Sequence, residues 1–166
     1  MPRTAAASHP DQALFDQLSF YTLAQPRSEF LHQLAIDTFT AQNATTATKP
    51  IAVVFAVLGL YLHAERGFTG LQIQRVHMQL APRRLPWPAL RLPERHADLT
   101  VADVLAAEAG PERDAMIRRW CVAEWQAWTE SRPAIAHLLR TQLDIDCPAQ
   151  LDGVRAHRPL CSRRLP

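Results

Sequence analysis

The chain has 166 residues, 48% of them hydrophobic, which is an ordinary single-domain size with material for a core that needs no disulfides or structural metal. Its 18 basic and 16 acidic residues leave a net charge of +2, a balance that argues against nucleic acid or an anionic membrane as the partner of the whole chain. Glycine is scarce, at 5 residues, while Ala and Leu are plentiful, which disfavours a turn-rich β architecture and points to helices.

Residues 1–9 read as a flexible lead. A first helix is expected from about Asp11 to Ala24, with Leu14, Leu18 and Tyr21 at helical spacing, ended by Pro26. Ser28 can then cap a second helix, because its hydroxyl accepts a first-turn N–H, and Phe30, Leu34 and Phe39 give that helix an apolar side. After a polar Thr-rich connection, Thr48 can cap and Pro50 can start a third helix that runs to Arg66. This helix is apolar nearly all round, which makes it the central one, and Gly67 stands at its C-terminal stop.

A fourth helix is expected from Gly70 to Ala81, stopped by Pro82. The stretch from Pro82 to Leu99 interleaves prolines with Leu85, Trp87, Leu90 and Leu92, so it reads as an ordered extended segment laid across the bundle. Thr100 and Asp103 resemble a capping box and open a short helix to about Ala109. A helix with Trp120, Trp125 and Trp128 follows from Pro111 to about Glu130, and a last one ends near Leu143. Residues 145–166 read as a weakly ordered tail. The expected fold is thus an all-α single-domain bundle over residues 10–144, with about four long helices, two shorter ones and an ordered Pro-rich loop.

Cys121, Cys147 and Cys161 are odd in number and form no CxxC pair, so they read as reduced thiols in the cytoplasm. The longest apolar run, Ile51 to Leu62, falls short of the roughly 20 residues that span a bilayer. Residues 1–10 carry no apolar signal segment, and no membrane association is expected. Arg83, Arg84, Arg91 and Arg95 surround Trp87, but prolines and the balanced charge favour a solvated loop rim over a nucleic-acid surface.

Short loops make successive helices antiparallel neighbours, so the height of each side chain can be counted from the turns. His32, His63 and His77 then fall near one level, and Tyr21 and Glu65 share that end of the bundle. Three imidazoles and a carboxylate from different helices would suit a divalent metal such as Zn, Fe or Mn. The alternative is three separate histidines with separate partners, since height does not fix direction and no compact ligand motif such as HExxH is present. Asp37 follows His32 by five residues and so faces about 140° away, free to serve Gln33, Lys49 or a helix end, and beside Ile36 and Phe39 it reads as half-buried and paired. Cys121 lies among tryptophans and reads as an inert buried thiol.

The segments HQLAIDTFTAQN (from His32), KPIAVVFAVLGLYLHAERGFTG (from Lys49), QRVHMQLA (from Gln74), WP (Trp87-Pro88), LTVADVLAA (from Leu99) and RRWCVAEWQAW (from Arg118) resemble, in order, a bacterial family of helical proteins known only as a domain of unknown function. The resemblance spans roughly residues 18–140 and carries no assigned chemistry. Relatives have a Cys-x-x-Cys-Gly near the N-terminus and further histidines at or near positions where this chain has Asn43, Ala56, Ser131 and Arg132. This chain keeps His32 and Asp37, and has His63 and His77 in a segment typical of one subgroup. Two functions remain in view. One is a binding or interaction protein, for which a homo-oligomer is one form to consider. The other is a metal-binding bundle or metal-dependent enzyme built on His32, His63 and His77, with Tyr21, Asp37 and Glu65 as supporting residues.

Overall fold

The computed structural model describes residues 11–25 and 29–143. The expected flexible lead, the Ser28 cap, the Pro26 stop, Cys147, Cys161 and the expected tail lie outside these residues. The order is α1 (Gln12–Leu23), α2 (Leu31–Gln42), α3 (Pro50–Arg66), α4 (Gly70–Leu80), α5 (Val101–Ala106), α6 (Pro111–Ala127), a 3-10 turn (Thr129–Ser131) and α7 (Arg132–Gln142). There is no strand among the described residues.

α3 is the centre, as its apolar circumference requires. Every residue from Ala56 to Leu62 is buried, and α2, α4, α6 and α7 pack around it. α2 lies beside it and also touches α1, α4 and α6, so α2 and α3 together form the axis of the bundle. Trp120, Trp125 and Trp128 are the largest fully buried side chains and fill the seam where the C-terminal half of α6 meets that axis. Gly67 ends α3 in the left-handed conformation (φ 71°), with N–H groups of Gly67 and Phe68 returning to the His63 and Leu62 carbonyls.

The caps differ in part from expectation. α4 opens with a full capping box, in which Thr69 and Gln72 satisfy each other's backbone N–H groups. The Thr100–Asp103 box is present as well. Thr48 does not cap α3; its hydroxyl accepts the Thr45 N–H at 2.9 Å, closing the preceding turn instead. α5 stops at Ala106, and α6 stops at Ala127, because the 3-10 turn at Thr129–Ser131 tightens the chain ahead of α7.

The proline-rich segment is extended and ordered across the bundle. Leu85, Trp87, Leu90 and Leu92 pack on the core, and Trp87 meets Phe55 edge to face at 5.3 Å. Two polar side chains fasten its end. The Gln42 amide donates to the Ala97 and Leu99 carbonyls at 3.1 and 2.9 Å, and its oxygen accepts the Trp120 indole N–H at 3.1 Å. The Glu124 carboxylate is fully buried, yet it accepts the Trp128 indole N–H at 2.9 Å, His96 Nδ1–H at 2.7 Å and the Ala97 N–H at 3.1 Å. Such satisfaction is what lets a carboxylate sit in the core. No helix among the described residues is long and apolar enough to cross a membrane.

Candidate functional site

Two groups of polar side chains stand out once the helices are in place. The first lies in the interior between α2, α3 and α4. Gln33 Nε2 donates to Asp37 Oδ1 at 3.0 Å and approaches His77 Nδ1 at 3.3 Å, so the two hydrogens of one amide serve both neighbours. A His77 ring that accepts at Nδ1 carries its proton on Nε2. Nε2 lies 3.9 Å from Asp37 Oδ2, too far for a hydrogen bond, and neither atom has another hydrogen-bond partner. Burial pushes the Asp37 carboxyl well above the usual carboxylate range, against a smaller opposing effect of the Gln33 hydrogen bond. Burial lowers the His77 imidazole to about 4, with the Phe55 carbonyl working the other way. Burial thus opposes charge on both groups, favouring the protonated carboxyl and the neutral imidazole.

Gly59 makes the space. A methyl group there would stand 1.9 Å from Asp37 Oδ2 and 2.7 Å from its Cγ, so the carboxyl occupies the volume of the missing side chain. Asp37 thus pairs with Gln33, as its position on α2 suggests, but it is buried rather than half-buried because α3 offers this notch.

The second group borders a cavity of about 200 Å³ at the end of the bundle where α3 turns into α4, lined by Leu31, Leu34 and His63 with Glu29, Arg118 and residues 67–70. His63 is the last-turn imidazole of α3, and its Nδ1 lies 2.9 Å from the Phe68 carbonyl. A carbonyl only accepts, so Nδ1 carries the proton and Nε2 is the lone-pair nitrogen of the neutral ring. Burial lowers the His63 pKa; the Phe68 carbonyl raises it, the Arg118 guanidinium lowers it and the Glu29 carboxylate raises it, in decreasing order of effect. Arg118, from α6, pairs with Glu29 at the cavity.

The remaining expected site residues go elsewhere. His32 Nδ1 lies 2.8 Å from the Thr22 hydroxyl, which donates to the Leu18 carbonyl and so accepts from the ring; burial lowers this imidazole too. Tyr21 reaches the start of α6, where its hydroxyl donates to Asp114 Oδ1 at 2.8 Å and accepts the Gly110 N–H at 2.9 Å. Glu65 accepts the Trp125 indole N–H at 2.8 Å and pairs with Arg132. The three imidazoles thus take three different partners. No group of three His, Cys, Asp or Glu side chains placed to hold a metal occurs among the described residues. His32, His63 and His77 do stand on neighbouring helices, but each ring points its own way. Of the six residues, only Asp37 and His77 are brought face to face.

Sequence reasoning missed Glu29 and Arg118 as site residues. It also missed the bond between His96 and Glu124. The signal for Asp37 was Gly59, a glycine in the middle of an apolar helix, which marks close approach of another group. Cys121 is fully buried, and burial pushes its thiol up, so it is no nucleophile.

The architecture defines an all-helical protein with a polar notch in its core and a charged cavity at one end. Residues 5–129 match the model of the Family of unknown function (DUF5946), and the chain belongs to that family. No curated protein and no solved structure matches it.

Proposed function

We propose that this protein is a ligand-binding helical bundle whose site is the cavity beside His63. The observation that carries this reading is the convergence there of an imidazole held in one tautomer by the Phe68 carbonyl, a guanidinium from a distant helix and the apolar side chains of Leu31 and Leu34. A few fixed polar groups over an apolar floor are what a small-molecule site requires. The volume of about 200 Å³ is room for roughly six waters, and so for a small ligand.

Binding without catalysis is the better supported role. The cavity lining offers no activated nucleophile: the Thr69 hydroxyl is committed to the capping box of α4, and the Cys121 thiol is sealed in the core. The metal reading has no comparable support, because His32, His63 and His77 are each turned to a different partner.

The test is a fragment screen read by the ring resonances of labelled histidine. Small fragments should shift the His63 signals selectively, and the His63→Gln variant should lose the same fragments while keeping its fold. A screen without hits at His63, or hits that persist unchanged in His63→Gln, would overturn the assignment.

A further inference from the structure

The chain carries its own carboxylate at this cavity, and it holds it there through a strained turn. Phe30 is the only non-glycine residue with positive φ among those described, at φ 49° and ψ 62°, a left-handed conformation that a bulky side chain rarely adopts. Strain of this kind persists only where the surroundings enforce it. Here the start of α4 does so. The Leu71 N–H donates to the Glu29 carbonyl at 3.1 Å, and Gly70 packs so closely that a methyl group there would stand 2.0 Å from the Phe30 carbonyl oxygen. On the other side, the Gln33 N–H donates to that same Phe30 carbonyl at 3.1 Å.

The turn delivers the Glu29 carboxylate to the Arg118 guanidinium at the cavity lined by His63. Arg118 and Glu29 are 37% and 48% exposed, so the pair is bathed in solvent and easily exchanged. A guanidinium presents a planar fork of N–H donors that matches any carboxylate, not only this one. Leu31 and Leu34 line the same cavity and give it an apolar wall.

Building on the binding role proposed for this cavity, we infer that its ligand is a small aliphatic carboxylate, which takes Arg118 from Glu29 and lays its chain on Leu31 and Leu34. Glu29 is then a resident competitor that occupies the anion position when the ligand is absent. The ligand's second oxygen has His63 Nε2 as a partner once the imidazole is protonated, so binding strengthens as pH falls toward the range in which the ring titrates.

Acetate, propionate and butyrate are suitable probes, with the corresponding neutral amides and inorganic phosphate as comparison arms, followed by the His63 ring signals and by calorimetry. Glu29→Gln should bind butyrate about tenfold more tightly than the wild type, and affinity should rise with chain length. Arg118→Gln should lose the acids, and Arg118→Lys should recover only part of the affinity, with unchanged melting temperature showing that both variants are folded. Equal affinity of wild type and Glu29→Gln for butyrate would overturn the inference, as would preference for phosphate. Amides that bind at His63 while acids do not would overturn it but leave the binding role standing. Failure of acids and amides alike to bind at His63 would count against both.

Discussion

Replacing Asp37 with asparagine separates the two titrating groups of the core, and the consequence can be worked out from their environments. In the unfolded chain an aspartate titrates at about 4 and a histidine at about 6.5. In the folded protein Asp37 is raised well above that value and His77 is lowered to about 4. A raised carboxyl keeps a proton that the unfolded chain has released, so stability falls as pH climbs from about 4 until the native carboxyl itself ionises. A lowered imidazole does the opposite: the unfolded chain holds the extra proton, and stability rises with pH between about 4 and 6.5 and is level above. One proton corresponds to about 1.4 kcal/mol per pH unit in either direction. Where both contributions act they oppose each other, since folding then moves one proton from the imidazole to the carboxyl.

His77 adds no slope above about pH 6.5, and Asp37 costs the wild type about 1.4 kcal/mol per pH unit only as far as its native carboxyl stays protonated. The side-chain amide of the Asp37→Asn variant keeps the shape and the oxygen that accepts from Gln33 but cannot ionise. In that variant the His77 contribution stands alone, worth about 3 kcal/mol of rising stability between pH 4 and 6.5, followed by a plateau. Urea unfolding of both proteins at half-unit intervals from pH 4.5 to 9 measures the difference, and other titrating groups drop out of the comparison. The variant should gain on the wild type as pH rises, until the native Asp37 carboxyl ionises. Parallel pH profiles would show that Asp37 is ionised in the folded protein, and the account of the notch would fail.

Gly59→Ala should destabilise the protein by about 1–3 kcal/mol even though Ala is the better helix former, because the methyl group meets the Asp37 carboxyl at 1.9 Å. Pairing it with Asp37→Ala should recover much of that loss in a double-mutant cycle, and strictly additive effects would refute the contact. Glu124→Leu strands the buried indole N–H of Trp128 and the Ala97 N–H, at about 1–3 kcal/mol for each. It should also speed amide hydrogen exchange at residues 95–99, and a loss under about 1 kcal/mol with unchanged exchange would show that Glu124 does not fasten the proline-rich segment.

The helices were legible because their signals are local. Pro50 at the start and Gly67 after the end delimit α3 in the sequence as they do in space, and its continuous apolar run made it the core before any contact was known. The Thr100–Asp103 box and the extended path of the proline-rich segment could be read for the same reason. Ambiguity began where two signals competed over a few residues, as at Thr48, where a turn took the hydroxyl that a helix could otherwise use.

The meeting of side chains was a different matter. A count along antiparallel helices gives height at about 1.5 Å per residue, but each residue also turns by about 100° around the axis. That rotation sent His32 to Thr22, His63 to Phe68 and His77 to Gln33 and Asp37, although the three rings lie on neighbouring helices. Burial was equally a tertiary decision: the notch at Gly59 on α3 admits an acid from α2, and the burial that results raises its pKa. Arg118 reaches Glu29 across 89 residues of sequence. The sequence alone therefore determined an all-helical bundle and the order of its parts. Which polar groups would face one another was settled by helix rotation and close packing, which no local pattern encodes.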